Sequence, residues 1–285
     1  MKLGFIGLGT MGRPLALHLI DAGHTLSIFA RREETARPLV EAGATACPTP
    51  ADVAKESEVI FTMVTGTPDV QEVVLGENGI IHGVRKGSLL IDLTTMDPVA
   101  ARDISHAMAE IGVDMLDAPV TGGPQGAKDA SLTIMVGGSA EAFERAQPLF
   151  KVLGHSAVLM GDAGAGQITK ACNQIAIVVT AQAVAEALTL ARKAGLDPEQ
   201  VREVLMGGVA SSRVMDLFGS HMTSREFSTG LESRLYHKDL NIALNIARAS
   251  GTSLPAAALT AQFINALMGA HREHDDFSAL ITVIE

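Results

Sequence analysis

Tryptophan is absent from this 285-residue chain and tyrosine occurs once, so Ala, Leu, Val, Ile and Met must fill its core. Cysteine is almost as scarce. Cys47 and Cys172 stand far apart and offer no disulfide framework, which fits a reducing, cytoplasmic setting. Positive charge is outweighed by negative, giving a formal net charge of −10. That balance argues against nucleic-acid or anionic-membrane partners, which need a basic face, so an anionic ligand must find a local positive site. No clean membrane span is present, because Asn173, Gln174, Gln182 and Glu186 interrupt the apolar stretch 171–190. Gly7, Gly9, Gly12 and Arg13 likewise break the run at the start, against a signal peptide. What is plentiful is apolar side chain, 47% of the total, enough for packed domains.

Up to about residue 160, short apolar runs (LGFIG, TLSIF, EVIFTMV, SLLIDL, VDMLDA, LTIMVGG, AVLMG) alternate with amphipathic stretches at 11–22, 33–41, 98–111 and 140–153. This alternation predicts βαβ units and a mainly parallel sheet, an α/β doubly wound Rossmann domain over 1–162. After the loop DAGAG, helical periodicity takes over at 167–194, 198–206, 212–222, 238–249 and 255–269. No convincing strand interrupts it, so 163–285 reads as an all-α domain. Its first helix, at about 1.5 Å per residue, would be roughly 40 Å long. Because it is apolar on several faces, it is expected to serve both domains or a second subunit.

The segment Gly7, Leu8, Gly9, Thr10, Met11, Gly12 follows a strand and opens a helix. Gly7 allows the tight turn, Gly9 lets a pyrophosphate approach the backbone, and Gly12 lets helix and strand pack closely. The helix N-terminus adds N–H donors and a favourable dipole. A dinucleotide is therefore the expected cofactor. About 20 residues on, where a carboxylate would accept the ribose hydroxyls, stand Ala30, Arg31 and Arg32. Guanidinium groups suit a 2′-phosphate, so NADP(H) is expected over NAD(H). The alternative is that both arginines lie on a surface loop and pair with Glu33 and Glu34.

Two further clusters carry chemistry. Thr121, Gly122 and Gly123 follow a strand and offer a hydroxyl and two unobstructed amides, a set suited to a carboxylate. Lys170, Asn173 and Gln174 fall at i, i+3 and i+4, hence on one helical face. Lys170 is either a snorkelling side chain with a solvated head or a general acid/base tuned by desolvation. Asp97 or Thr95 is expected to cap the helix after the strand SLLID, the alternative for Thr95 being that it faces the ligand crevice. By themselves Lys238 and Asp239 read as an ordinary helix start. No metal site is expected.

Together, the stretches GFIGLGTMGRPLA, DLTTMDP, DAPVTGGPQGA, GAGQITKACNQ and HKDL resemble the β-hydroxyacid dehydrogenase family, the relatives of 3-hydroxyisobutyrate dehydrogenase. GENGI, EALTLARKAG and LMGGVASSRVMD are most similar to the branch that reduces tartronate semialdehyde (2-hydroxy-3-oxopropionate). The resemblance implies Lys170 as catalytic residue, and Thr121, Gly122, Gly123, Asn173 and Asp239 around the substrate. It also implies Met63, Val64, Thr95 and Lys238 along the cofactor. Expected from it are NADPH-dependent reduction of a short aldehyde-acid, a substrate-binding and oligomerising second domain, and a homodimer or homotetramer. Thr121 stands where serine is commoner, and MVTGTPD lacks the proline usual after Met-Val. Imine-reducing relatives lack the lysine, whereas a non-catalytic cofactor-binding module would not need the cluster around it.

Overall fold

A parallel strand covered on both faces has no solvent side, so it reads as a continuous apolar run. Strands of this kind build the first of two units, Met1–Lys170 and Ala171–Glu285, into which the chain divides. The computed structural model describes residues 1–228 and 230–285. The chain begins with β1 (Lys2–Ile6), α1 (Gly12–Asp21), β2 (Thr25–Phe29), α2 (Glu33–Glu41), β3 (Thr45–Ala46) and α3 (Pro50–Lys55). It continues through β4 (Val59–Thr62), α4 (Thr67–Leu75), β5 (Leu89–Asp92), α5 (Pro98–Glu110), β6 (Asp114–Asp117) and β7 (Val120–Thr121). Then come α6 (Gly123–Lys128), β8 (Leu132–Gly137), α7 (Ala140–Leu153), β9 (Gly154–Gly161) and α8 (Ala165–Lys193).

The strands are ordered β3-β2-β1-β4-β5-β6-β8-β7, with β9 against β8. Pairs among β1–β6 and the β8–β9 pair are parallel, while β8 runs antiparallel to β6 and β7. The order reverses at β1, which has β2 on one side and, after the chain crosses back from β3, β4 on the other; ligands of such sheets bind beyond the strand ends at that reversal. Register places Phe29, Ile6, Thr62, Asp92 and Asp117 in one row at the carboxyl ends.

Alternate residues of each strand point to opposite faces. Phe5, Phe61 and Ile91 join Leu15, Leu39 and Phe150 in one core. Ile6, Ile60 and Leu90 join Val70, Ile104 and Met108 in the other. Helices thus cover both faces of the sheet. Periodicity located α2 and α7 to the residue, but it did not reveal β3, β7, α3, α4 or α6. β3, β7, α3 and α6, of two to six residues, are too short to display a period. Proline in the first turn opens α3, α4 and α6, and its φ is already set for a helix. The segment after Thr121 is therefore a helix start rather than a plain turn.

The second unit holds the remainder of α8, then α9 (Pro198–Met206), α10 (Ser220–Ser224), α11 (Ser233–Ser250), α12 (Pro255–Gly269) and α13 (Ile281–Ile284). Among the described residues it contains no strand beyond an isolated bridge between Glu232 and Asp276. The helix expected at 212–222 is present over 213–224, with a π-helical turn, Met215–Gly219, inside it before α10. Met215, Phe218 and Met222 are all buried there. α11 starts at Ser233, earlier than its periodicity shows, because Ser233 donates to the Asp275 carbonyl from both its N–H and its hydroxyl. The core here is not purely aliphatic: Tyr236 stacks on Phe277 at 4.5 Å, and Phe218 meets both rings edge-on. α8, at 29 residues, is the one helix among the described residues long and apolar enough to cross a membrane, and half of its most apolar window is buried in the protein.

Candidate active site

The turn between β1 and α1 is shaped by what cannot fit there. At Gly7, φ is +100° and an added Cβ would lie 2.2 Å from the Met63 carbonyl oxygen. At Gly12 it would lie 1.9 Å from the Gly7 oxygen. Gly9 differs, with nothing within 4 Å of its Cβ position, so its backbone is open from outside. Leu8 is buried beneath the turn, Thr10 is exposed and Met11 is half-buried. α1 has no acidic residue in its first turn, which leaves its positive end available to an anion. An open backbone, an unopposed dipole and no obstructing side chain fit a dinucleotide pyrophosphate.

Arg31 and Arg32 lie exposed between β2 and α2. Arg32 sits 3.8 Å from Glu34, a solvent-exposed pair worth little. Arg31 forms no ion pair among the described residues.

A buried polar network starts from the strand-end row. The Thr62 hydroxyl donates to Asp92 Oδ1 at 2.6 Å, and the Thr94 N–H reaches the same oxygen at 3.3 Å. Thr94 Oγ1 accepts the Val64 N–H at 3.0 Å, tying the Met63–Val64 segment to the end of β5. Asp92 is fully buried and its Oδ2 has no hydrogen-bond partner among the described residues. Burial pushes its pKa up to about 7, against the opposing hydrogen bonds from Thr62 and Thr94. An orphaned oxygen in so dry a place suits the neutral acid.

Asp117, at the end of β6, accepts the Gly164 N–H at 2.7 Å and the Gln167 N–H at 2.9 Å. A carboxylate thus sits at the N-terminus of α8, where the helix dipole favours it. Burial raises its pKa and these backbone bonds oppose the rise. One turn on, Lys170 is 8% exposed, and its Nζ donates to the Val120 carbonyl at 2.9 Å. Its head is therefore inside the unit rather than snorkelling into solvent. Val120 leads directly into Thr121, Gly122 (φ +131°) and Gly123 (φ +64°). Thr95 is half-buried beside the network, and the cap of α5 is Asp97, which accepts the Val99 and Ala100 N–H groups.

The second unit has its own cluster. Asn173 donates to Gln174 at 2.9 Å, and Gln174 donates to Asp239 Oδ2 at 2.7 Å. Lys238 Nζ lies 2.8 Å from Asp239 Oδ1, an ion pair by distance without hydrogen-bond alignment. The pair is partly shielded, so it is more than a solvated helix start.

The first unit thus brings Gly7–Gly12, Met63–Val64, Thr95, Thr121–Gly123 and Lys170 into one connected region. Asp92 and Gln167 escaped sequence reasoning. The readable signal for Asp92 was an acid closing an otherwise apolar run, LLID. Gln167 gave no such signal, as the first polar residue of a helix that follows a glycine-rich loop.

These features define a dinucleotide-binding oxidoreductase, and the comparisons narrow the class. A family model described as the NAD binding domain of 6-phosphogluconate dehydrogenase matches residues 2–161. One described as NAD-binding of NADP-dependent 3-hydroxyisobutyrate dehydrogenase matches 164–284. The chain is 42% identical over 285 residues to the 2-hydroxy-3-oxopropionate reductase of Escherichia coli (strain K12), covering 100% of this chain and 97% of the relative. It is 36% identical over 288 residues to the 2-(hydroxymethyl)glutarate dehydrogenase of Eubacterium barkeri, covering 100% and 95%. The solved 3-hydroxyisobutyrate dehydrogenase of Mycobacterium tuberculosis with L-serine superposes with a TM-score of 0.90 at 29% identity, covering 100% and 99%. The chain belongs to the 3-hydroxyisobutyrate dehydrogenase-like family and is an NAD(P)-dependent β-hydroxyacid dehydrogenase.

The raised pKa of Asp92 has a stability consequence. Below about 3.8 both folded and unfolded chains hold the proton, whereas between there and about 7 only the folded chain does. Stability contributed by this group therefore falls as pH rises through that window and levels off above it. In Asp92→Asn the window disappears. The variant's unfolding free energy relative to the parent should climb between about pH 4 and about pH 7 in urea titrations, and a pH-independent difference would mean that Asp92 is ionised throughout.

Proposed function

We propose that the chain reduces a short aldehyde bearing a carboxylate with NADPH, 2-hydroxy-3-oxopropionate going to glycerate as the first reading. The observation that carries it is the Lys170 ammonium on the Val120 carbonyl, immediately before Thr121–Gly123. The full-length similarity to a reductase of that name supports the substrate. The Thr121 hydroxyl and the Gly122 and Gly123 amides bind the carboxylate, and Asn173 and Asp239 orient the rest of the substrate. Holding the carbonyl in one pose makes the transfer effectively unimolecular. Bound NADPH supplies the hydride. Lys170 Nζ stabilises the charge that develops on the substrate oxygen and delivers a proton to it.

Residues Gly7, Leu8, Gly9, Thr10, Met11 and Gly12 hold the pyrophosphate, and Met63, Val64, Thr95 and Lys238 flank the nicotinamide end. Arg31 and Arg32 hold the 2′-phosphate, supplying the local positive site an acidic chain needs. Residues 1–162 form the cofactor domain, and 163–285 serve substrate binding and assembly into a cytoplasmic homodimer or homotetramer.

Lys170→Ala should lower kcat by at least about a hundredfold with the NADPH dissociation constant nearly unchanged. Survival of turnover within about tenfold, an interval of about 1.4 kcal/mol, would contradict the role of Lys170. In steady-state assays the Arg31→Ala/Arg32→Ala double variant should raise the KM for NADPH by roughly tenfold or more while leaving that for NADH alone. Equal effects on both cofactors would return the arginines to ordinary surface residues.

A further inference from the structure

We infer that Gln167 is a positioning residue whose side-chain amide holds the main chain on both sides of Thr95 in register with Lys170. The inference rests on the roles proposed above for Thr95 and Lys170. Gln167 Nε2 donates to the Thr94 carbonyl at 2.8 Å, and Oε1 accepts the Met96 N–H at 3.0 Å. Both ends of one amide therefore bind one short segment, as the backbone of a neighbouring strand would. The amide has one orientation only: flipped, it would set NH2 against an N–H and oxygen against a carbonyl. Gln167 is 1% exposed, so these bonds have no competition from water.

The same residue is fixed from below. Its own N–H donates to Asp117 Oδ2 at 2.9 Å, and the Gly164 N–H holds the other oxygen of that carboxylate at 2.7 Å. Lys170 follows three residues later, about 4.5 Å along the helix axis. Thr95 and Lys170 are thus referenced to a single side chain, although 75 positions part them in sequence. The segment 94–96 is otherwise a connection between β5 and α5, and a displacement of an ångström there is costly to a transfer reaction. The Gly7–Gly12 turn contains none of these contacts, so the clamp acts on the reacting geometry more than on cofactor affinity.

The test uses Gln167→Met and Gln167→Glu in the full chain, with Ser139→Ala as control. Met keeps the volume and removes both bonds. Ser139 caps α7 by accepting the Ala142 N–H at 3.2 Å, so its loss lowers stability without touching 94–96. Kinetics, NADPH binding by fluorescence and melting temperature are followed from about pH 5 to about pH 8, a range spanning the titration of a buried carboxyl. Gln167→Met should lose at least about tenfold in kcat at every pH and keep its NADPH dissociation constant within about threefold. Gln167→Glu should be equally impaired at the alkaline end, where a carboxylate opposes the Thr94 carbonyl. It should recover as pH falls, because the neutral acid again donates to Thr94 and accepts from Met96. The titratable groups around the position are Asp117 beneath it, Asp92 through Thr94, and Lys170 one turn on, so each rate is divided by that of the parent chain at the same pH.

A Gln167→Met enzyme within about twofold of the parent overturns the inference. So does a Gln167→Glu deficit that does not change with pH, which also decides the matter if the methionine variant fails to fold. A parent chain inactive on every short aldehyde-acid overturns the proposed function instead, and this inference with it.

Discussion

The carboxylate of Asp117 accepts the N–H groups of Gly164 and Gln167, which joins the carboxyl end of β6 to the first turn of α8. Orphan N–H groups at a helix start and a buried carboxylate at a strand end would each be costly alone. Together they satisfy one another. The junction fixes where α8 begins, and with it the place of Gln167 and Lys170 in the first unit. From Gln167 the bonds run to Thr94 and Met96, from Thr94 to Val64 and Asp92, and from Asp92 to Thr62. Polar order at the end of an apolar sheet is thus a single connected system.

That system sits where the doubly wound topology leaves room for a ligand. The reversal of strand order between β1 and β4 opens a crevice at the strand ends, and Gly7 and Gly12 pack so closely that no side chain enters. The open backbone at Gly9 meets the positive end of α1. An overall acidic chain thereby presents a local site for anions.

Legibility in the sequence followed the length scale of each signal. The glycine turn, the parallel strands and the helices α2 and α7 were readable because spacing alone encodes them. Lys170 stood out because a charge near the start of an apolar helix needs a reason. Short elements opened by proline, such as α6, carry no period, and the π-helical turn at Met215–Gly219 breaks the one it interrupts. Gln167 and Asp92 could not be read at all as a network, since their partners lie 71 to 73 and 30 residues away and only the sheet register and the junction of α8 with β6 bring them together. A start for α11 at Ser233 likewise depends on the distant Asp275 carbonyl.

Substrate identity is where similarity stops short, because relatives of comparable identity carry the names of different hydroxyacid enzymes. Small pockets separate such substrates by only a few kcal/mol, so kinetics must rank them. The most direct measurement is kcat/KM for 2-hydroxy-3-oxopropionate, glyoxylate, succinic semialdehyde and 3-hydroxyisobutyrate, each with NADP(H) and NAD(H). The account predicts the highest value for 2-hydroxy-3-oxopropionate with NADPH. A higher value for another substrate or with NADH, or no turnover with any of the four, would contradict it.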